Sequence, residues 1–294
     1  MKKIVSAIIL MMALTACSNI TTKSVNTDEK LNPTVDNQES DSEVVSNLKN
    51  DDINNSSINS SLINNIDTTN SLFEKGNYDY QGTINGNIGI QMSIFKVGDY
   101  IIGSYFYNNN RIEIKVKGKA GATEFVLYEY NDLEEVTGIF SGTMNTIDKI
   151  EGTWSSSDGN QSYPFILTLR SSALGTEYGK RYAVAIGEES DQNVENFVSE
   201  IQEAIKNDNI DLVAQKVNYP IDVNVDGVVL KINNKEEFIN NYNKIINSNF
   251  KDVISNAYTN YLFANYTGIM FGENQFNIWI NKIDSKLVIT SINN

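Results

Sequence analysis

The sequence predicts a mainly β chain that passes into an α+β segment: an antiparallel meander able to close into a small β-barrel, then helices with a curved sheet. Three observations carry this. Apolar residues alternate with period two between about residues 78 and 169. The period becomes helical from Asn193 onward. Before both lies a stretch with neither pattern, in which 28 of residues 18–75 are Asn, Ser or Thr.

The chain opens with Lys2 and Lys3, followed by a run from Ile4 to Leu14 that is apolar except for Ser6. Charge, then a short apolar run, then small residues is the layout of a secretory leader. A spanning helix needs roughly 20 apolar residues, so this run is too short to remain as an anchor. Residues 14–17 read Leu-Thr-Ala-Cys and resemble the lipobox of bacterial lipoproteins. The resemblance implies that the Cys17 thiol is acylated with a diacylglycerol and that residues 1–16 are removed as a signal peptide. Two acyl chains hold a protein stably to a membrane where one does not. The expected location is therefore the extracytoplasmic face of the cell membrane, with the membrane itself a partner through Cys17. Cys17 is the only cysteine, so lipidation leaves no thiol and no disulfide.

Residues 17–75 read as a lipidated tether, since a chain so poor in apolar residues cannot offset its ordering entropy. Residues 76–188 read as the β domain. Eight strands are expected, at about 78–84, 87–94, 99–107, 111–118, 122–131, 135–143, 147–155 and 162–170. Turn residues separate several of them, among them Asn85-Gly86, Gly98-Asp99 and Asp158-Gly159. Closure into a barrel would remove exposed edges. The stretch "RYAVAIG" reads as a ninth strand.

Residues 189–294 read as the α+β domain. Val194, Phe197, Val198, Ile201, Ala204 and Ile205 share one helix face, with Ser190 or Asp191 as N-cap. A short helix, two strands joined at Asp226-Gly227, a helix capped by Asn234, a further short helix and three strands follow. This order is similar to the nuclear-transport-factor-2-like, or SnoaL-like, family. The stretches carrying the resemblance are "VENFVSEIQEAIKNDNIDLVAQKVNYPIDV", "INNKEEFINNYNKIIN" and "FNIWINKIDSKLVITSIN". It implies a cone in which a curved sheet wraps the helices and leaves a pocket at its wide end. It implies little about activity, because that fold hosts enzymes, binders and scaffolds.

Charge and composition narrow the function. The net charge is −14, and removal of the leader takes it to −16. Such a surface repels nucleic acid. Arg111, Lys115, Lys117 and Lys119 are the one basic cluster, and they read as the solvated face of a strand. There is no histidine, which excludes Ser-His-Asp and Cys-His catalysis and histidine-based zinc sites. Glu134-Glu135, Glu188-Glu189 and Glu236-Glu237 read as solvated charge rather than acid–base pairs. "DVNVDG" at 222–227 matches the opening of a calcium loop, but position 12 is Asn233, and an Asp-Gly hairpin explains the same letters. No cofactor and no metal are expected.

Aromatic residues supply the candidate binding surface. Trp279 alternates with Asn277 and Asn281, an aromatic face beside amides of the kind that lines a pocket. Tyr219, Tyr242 and Tyr261 are expected to add to that lining. Trp154 is a second aromatic candidate; Tyr105 with Tyr107 on one face and Tyr128 with Tyr130 on another could form a patch on the barrel exterior, but tyrosine suits strands in any case, and that plainer reading is preferred. The function expected is a membrane-anchored, non-catalytic binding module for a small molecule, glycan or protein. The alternatives are a small-molecule carrier serving a transporter and a carboxylate-dependent cell-wall hydrolase.

Overall fold

The computed structural model describes residues 60–110 and 112–294. The leader, Cys17, the tether up to residue 59 and Arg111 lie outside the described residues.

The barrel consists of β1 (Gly76–Ile84), β2 (Ile88–Val97), β3 (Tyr100–Tyr107), β4 (Ile114–Ala120), β5 (Glu124–Tyr130), β6 (Val136–Thr146), β7 (Lys149–Ser156) and β8 (Ser162–Leu174). Each strand pairs antiparallel with its sequence neighbour, and β1 pairs with β8 to close the ring. Alternation sets what faces inward. Tyr78, Tyr80, Ile90, Met92, Tyr105, Phe125, Leu127, Phe140, Phe165 and Leu167 fill the lumen. At Gly103, φ is +157° and an added Cβ would lie 2.0 Å from the Ser93 carbonyl oxygen, so only glycine lets β2 and β3 approach this closely.

The two ends of the barrel differ. One is stoppered by the chain that precedes β1. Phe73 is buried edge-on against Tyr78, with ring centroids 4.9 Å apart, and reaches Phe125. Burying such a ring contributes about 1.5–3 kcal/mol. The short helix α1 (Ser60–Asn64) lies on the outside of β5, where Ile63 packs on Val126 and Tyr128. Residues 60–75, which the Asn/Ser/Thr-rich composition assigns to the tether, are thus part of the packed structure. Ile63, Ile66 and Phe73 supply their apolar contacts, and bonds from Leu72 to Gly121 and from Thr68 to Asp99 add to them.

The expected ninth strand is absent from the barrel. β8 instead runs on to Leu174, and "RYAVAIG" forms a short helix, α2 (Ala183–Ile186), closed by Gly187 at φ +69°. Tyr182 is fully buried and its hydroxyl accepts the Leu262 N–H at 3.0 Å, which holds this segment against the second core rather than on the sheet.

The α+β region continues with α3 (Asp191–Lys206), α4 (Ile210–Lys216), β9 (Val217–Val225), β10 (Val228–Ile232), α5 (Lys235–Ile245), α6 (Ser248–Asn256), β11 (Phe263–Asn265), β12 (Gly268–Glu273), β13 (Phe276–Ile283) and β14 (Lys286–Asn293). Side-chain oxygens of Ser190, Asn209, Asn234 and Asn247 accept the free N–H groups at the starts of these four helices. The sheet order is β10-β9-β14-β13-β12-β11, antiparallel except for the parallel β9–β14 pair. Its core is aliphatic. Val194, Val198, Ile201 and Ile205 of α3 meet Phe238, Phe250, Ile278, Ile280, Ile289 and Ile292. Asp226 and Gly227 both have positive φ and turn β9 into β10, so "DVNVDG" is a hairpin. No group of three or more Asp, Glu or Cys able to hold a metal ion occurs among the described residues. Among those residues no helix is long and apolar enough to cross a membrane.

Candidate functional site

The candidate site is a cleft of about 610 Å³ between the barrel wall and the segment that leads from α6 into β12. Strand alternation builds its first wall. With Tyr78 and Tyr80 turned into the lumen, Asp79 and Gln81 of β1 face outward, and Gln91 and Ser93 of β2 and Arg170 and Ser171 of β8 stand beside them. Residues 257–263 with Met270, Gly272, Glu273 and Asn274 form the opposite wall.

A buried charge network underlies the cleft. Arg181 is 5 % exposed, and its Nη1 lies 2.6 Å from Asp79 Oδ2. Its Nη2 donates to Ser93 Oγ at 2.5 Å, and the hydroxyls of Ser93 and Ser171 donate to the two Asp79 oxygens at 2.7 and 2.9 Å. The guanidinium also sits 5.1 Å from the centre of the Tyr261 ring. Arg181 therefore ties the segment after β8 to the barrel wall and to the 257–262 loop together. A buried pair of this kind is costly to break from one side, because the other charge stays behind uncompensated.

The 257–262 loop is fixed from every direction. Tyr258 stacks on Phe106 with centroids 3.9 Å apart. Its hydroxyl and the Asn260 amide both donate to Glu113 Oε1, at 2.6 and 2.7 Å. Tyr261 adopts φ +52°, its hydroxyl lies 2.6 Å from Ser104 Oγ, and its N–H donates to Glu195 Oε1 at 3.2 Å. Gln202 of α3 donates to the carbonyls of Ile254 and Ala257. Burial pushes Glu195 up to about 7, with Asp191 adding to the shift and the Tyr261 N–H opposing it. Asp191 is also raised by burial. Burial likewise raises the Tyr258 and Tyr261 hydroxyls far above the ordinary tyrosine range.

The six residues read from sequence as a lining do not converge. Asn277, Trp279 and Asn281 share the face of β13 opposite Ile278 and Ile280. Trp279 is half-buried there, directly across from Met270, which lines the cleft. Asn277 is buried, donates to the Asn274 carbonyl and accepts from Asn293. It borders a separate amide-rich hollow of about 560 Å³ with Asn224, Asn247 and Asn294. Asn281 donates to the Thr267 carbonyl. Tyr219 and Tyr242 lie on the other side of the sheet. Tyr219 packs edge-on to Phe238 and donates to Ala214, and Tyr242 is in the core. Tyr261 alone lines the cleft.

Other readings change as well. Tyr105 and Tyr107 do not lie on the barrel exterior but on the lumen side, while Tyr128 is outside beneath α1. Glu188 is buried and paired with Lys282 at 2.9 Å instead of solvated. Glu129, Asp79, Arg181 and Glu195 escaped the sequence reading. For Glu129 the signal was present: alternation from Phe125 through Leu127 puts it inside the barrel. No protein-family model matches the chain, and no curated protein matches it.

Proposed function

We propose that the chain is a lipid-anchored protein of the extracytoplasmic membrane face that binds a polar ligand, without catalysis, in the cleft between barrel and second sheet. The anchor rests on Cys17 and the Leu-Thr-Ala-Cys box. We read the α+β region as the nuclear-transport-factor-2-like cone, supported by its element order, and here it serves as the second wall. The observation that carries the binding reading is the lining. The amides of Gln81, Gln91, Asn108 and Asn260 offer paired donors and acceptors, Arg170 adds donors, and Tyr258, backed by Phe106, and Phe263 offer ring faces. Amides beside rings match a polyhydroxylated ligand such as a glycan, which presents hydroxyls on its rim and C–H groups on its faces.

The non-catalytic part rests on the carboxylates. Glu195, which burial pushes up to about 7, accepts the Tyr261 N–H and is not among the residues lining the cleft. Asp79 is occupied by Arg181 and two serines.

Gln91 and Arg170 are exposed, and only Arg170 makes a side-chain bond, to Gln81 at 3.1 Å. Gln91→Ala with Arg170→Ala should weaken binding of an N-acetylated wall disaccharide at least tenfold and leave the melting temperature within about 2 °C. Equal binding by the variant, or none by the wild type, rejects the cleft as a glycan site. Cys17→Ala should leave the precursor uncut and unlipidated, read by mass spectrometry of the membrane fraction.

A further inference from the structure

The barrel end opposite Phe73 carries a second arrangement, independent of the cleft. Glu129 points into the lumen at 8 % exposure. Its Oε2 accepts the Tyr105 hydroxyl at 2.7 Å and the Trp154 indole N–H at 3.0 Å, and its Oε1 accepts the Thr137 hydroxyl at 2.7 Å. A side chain at Gly138 would meet Glu129 Oε2 at 2.7 Å and Trp154 Nε1 at 2.8 Å, so the glycine makes room for the carboxylate. No cation pairs with Glu129 among the described residues. Around it stand half-buried rings. Trp154 and Tyr163 are cross-strand neighbours with planes within 9° and centroids 6.1 Å apart, and the Tyr107 hydroxyl lies 3.2 Å from that of Tyr105. The loops at this end add Asp132, Glu134, Glu135 and Asp158.

We propose that this end of the barrel binds an organic cation, specifically a methylated ammonium group, against the stacked Trp154–Tyr163 pair and Tyr107 and beside Glu129. Two features of the geometry select that chemistry. A carboxylate bonded to ring edges, with ring faces close by, attracts a cation by Coulomb and cation–π terms together, strongest at Trp. The hydrogen-bonding capacity, however, is nearly used up. Both lone pairs of Oε2 in the carboxylate plane are taken and one of Oε1 is taken, leaving a single acceptor site. A primary ammonium brings three N–H donors that this pocket cannot satisfy, and an unmade hydrogen bond is costly on burial. A trimethylammonium group brings charge and methyl surface with no donors. The stopper at the far end leaves this mouth as the entrance.

The test is a titration of the full chain, solubilised in detergent, with choline chloride and with ethanolamine. Trp154 fluorescence is the readout in a Trp279→Phe background. Choline should perturb it saturably and ethanolamine at least tenfold more weakly. Glu129→Gln should lower choline affinity at least tenfold. The amide can keep its oxygen toward Tyr105 and Trp154 and turn its NH₂ to Thr137, so the fold is retained. Tyr163→Leu, outside the hydrogen-bond network, should cost about three- to tenfold through the lost ring face. Absence of choline binding, equal binding by Glu129→Gln, or ethanolamine binding as tightly overturns the proposal. Phosphatidylcholine vesicles separate the sources: recruitment of the Cys17→Ala chain that Glu129→Gln abolishes identifies a lipid headgroup, and choline binding without such Glu129-dependent recruitment identifies a free solute.

Discussion

The barrel lumen and the core of the α+β region differ in how completely their buried hydroxyls are partnered, although Tyr182 and Tyr219 of the second core are bonded as well. In the lumen each fully buried tyrosine hydroxyl has a partner. Tyr78 bonds the Glu74 carbonyl, Tyr80 the Ile147 carbonyl and Tyr105 the Glu129 carboxylate, with Tyr107 beside Tyr105. In the second core Tyr242 is 2 % exposed and its hydroxyl has no partner among the described residues. The lumen is organised by directed bonds that fix where each ring points. The second core is organised by aliphatic packing, which tolerates a stray hydroxyl at a modest cost. The pre-oriented polar groups therefore concentrate on the barrel and at its border.

The largest test strikes that border. Arg181→Met keeps the aliphatic stem but leaves the half-buried Asp79 with only two serine donors. The expected loss is about 3–5 kcal/mol by urea unfolding. Asp79→Asn alone should also destabilise, and the double variant should recover part of the sum, because neither uncompensated charge then remains. Strict additivity would show that the pair, although 2.6 Å apart, is not coupled.

A smaller, pH-dependent effect is expected at Glu195. Its native value of about 7 stands above the ordinary 4.5 because burial disfavours the charge, with Asp191 and Glu113 adding to this and the Tyr261 N–H and Arg181 opposing it. The native state therefore holds the proton more tightly than the unfolded chain. That contribution is complete below about pH 4.5 and is lost as pH rises through 7. Glu195→Gln, which can still accept the Tyr261 N–H, should flatten this part of the pH profile. It should stabilise the protein at pH 8 by on the order of 1–3 kcal/mol. Melting temperatures at pH 5 and 8 decide it; equal slopes in both proteins would remove Glu195 from the account.

At the lumen mouth, Trp154→Phe keeps a ring but removes one of the three donors to Glu129. A loss of about 1–2 kcal/mol is expected. It should shrink toward zero in a Glu129→Leu background, where no carboxylate awaits the indole N–H. An undiminished loss in that background would assign Trp154 to packing alone.

Local pattern made much of this legible. Alternation in "NIGIQMSIF" and in the second half of "RIEIKVKG" marks strands that the barrel contains, whereas Ile112, read as part of the same strand, precedes it and is exposed; Ser190 and Asn234 mark helix starts that the structure confirms. Features that depend on distant partners were not legible. Arg181 and Asp79 are 102 residues apart, and nothing near either announces the other. Phe73 sits in polar low-complexity sequence, and only a closed barrel supplies its pocket. "RYAVAIG" alternates like a strand, yet the bond from Leu262 to Tyr182 and the Arg181 pair draw it off the sheet. Tyr105 and Tyr107 share a face by alternation, but which face is inside is decided by closure.

The smallest effect concerns Tyr242. Its hydroxyl is buried among Phe238, Ile245 and neighbouring apolar groups, and burial pushes it up to about 12. A hydroxyl desolvated without a partner opposes folding, and its removal leaves the ring packing intact. Tyr242→Phe should therefore be neutral or stabilising by up to about 1 kcal/mol, and should leave glycan and choline binding unchanged. The same substitution at Tyr80, whose hydroxyl bonds the Ile147 carbonyl, should destabilise by about 1 kcal/mol. Opposite signs at two equally buried tyrosines would locate the difference between the cores in their hydrogen bonds. A loss at Tyr242 as large as at Tyr80 would mean that its hydroxyl has a partner in solution, a bound ligand included, and would return this residue to the candidate lining.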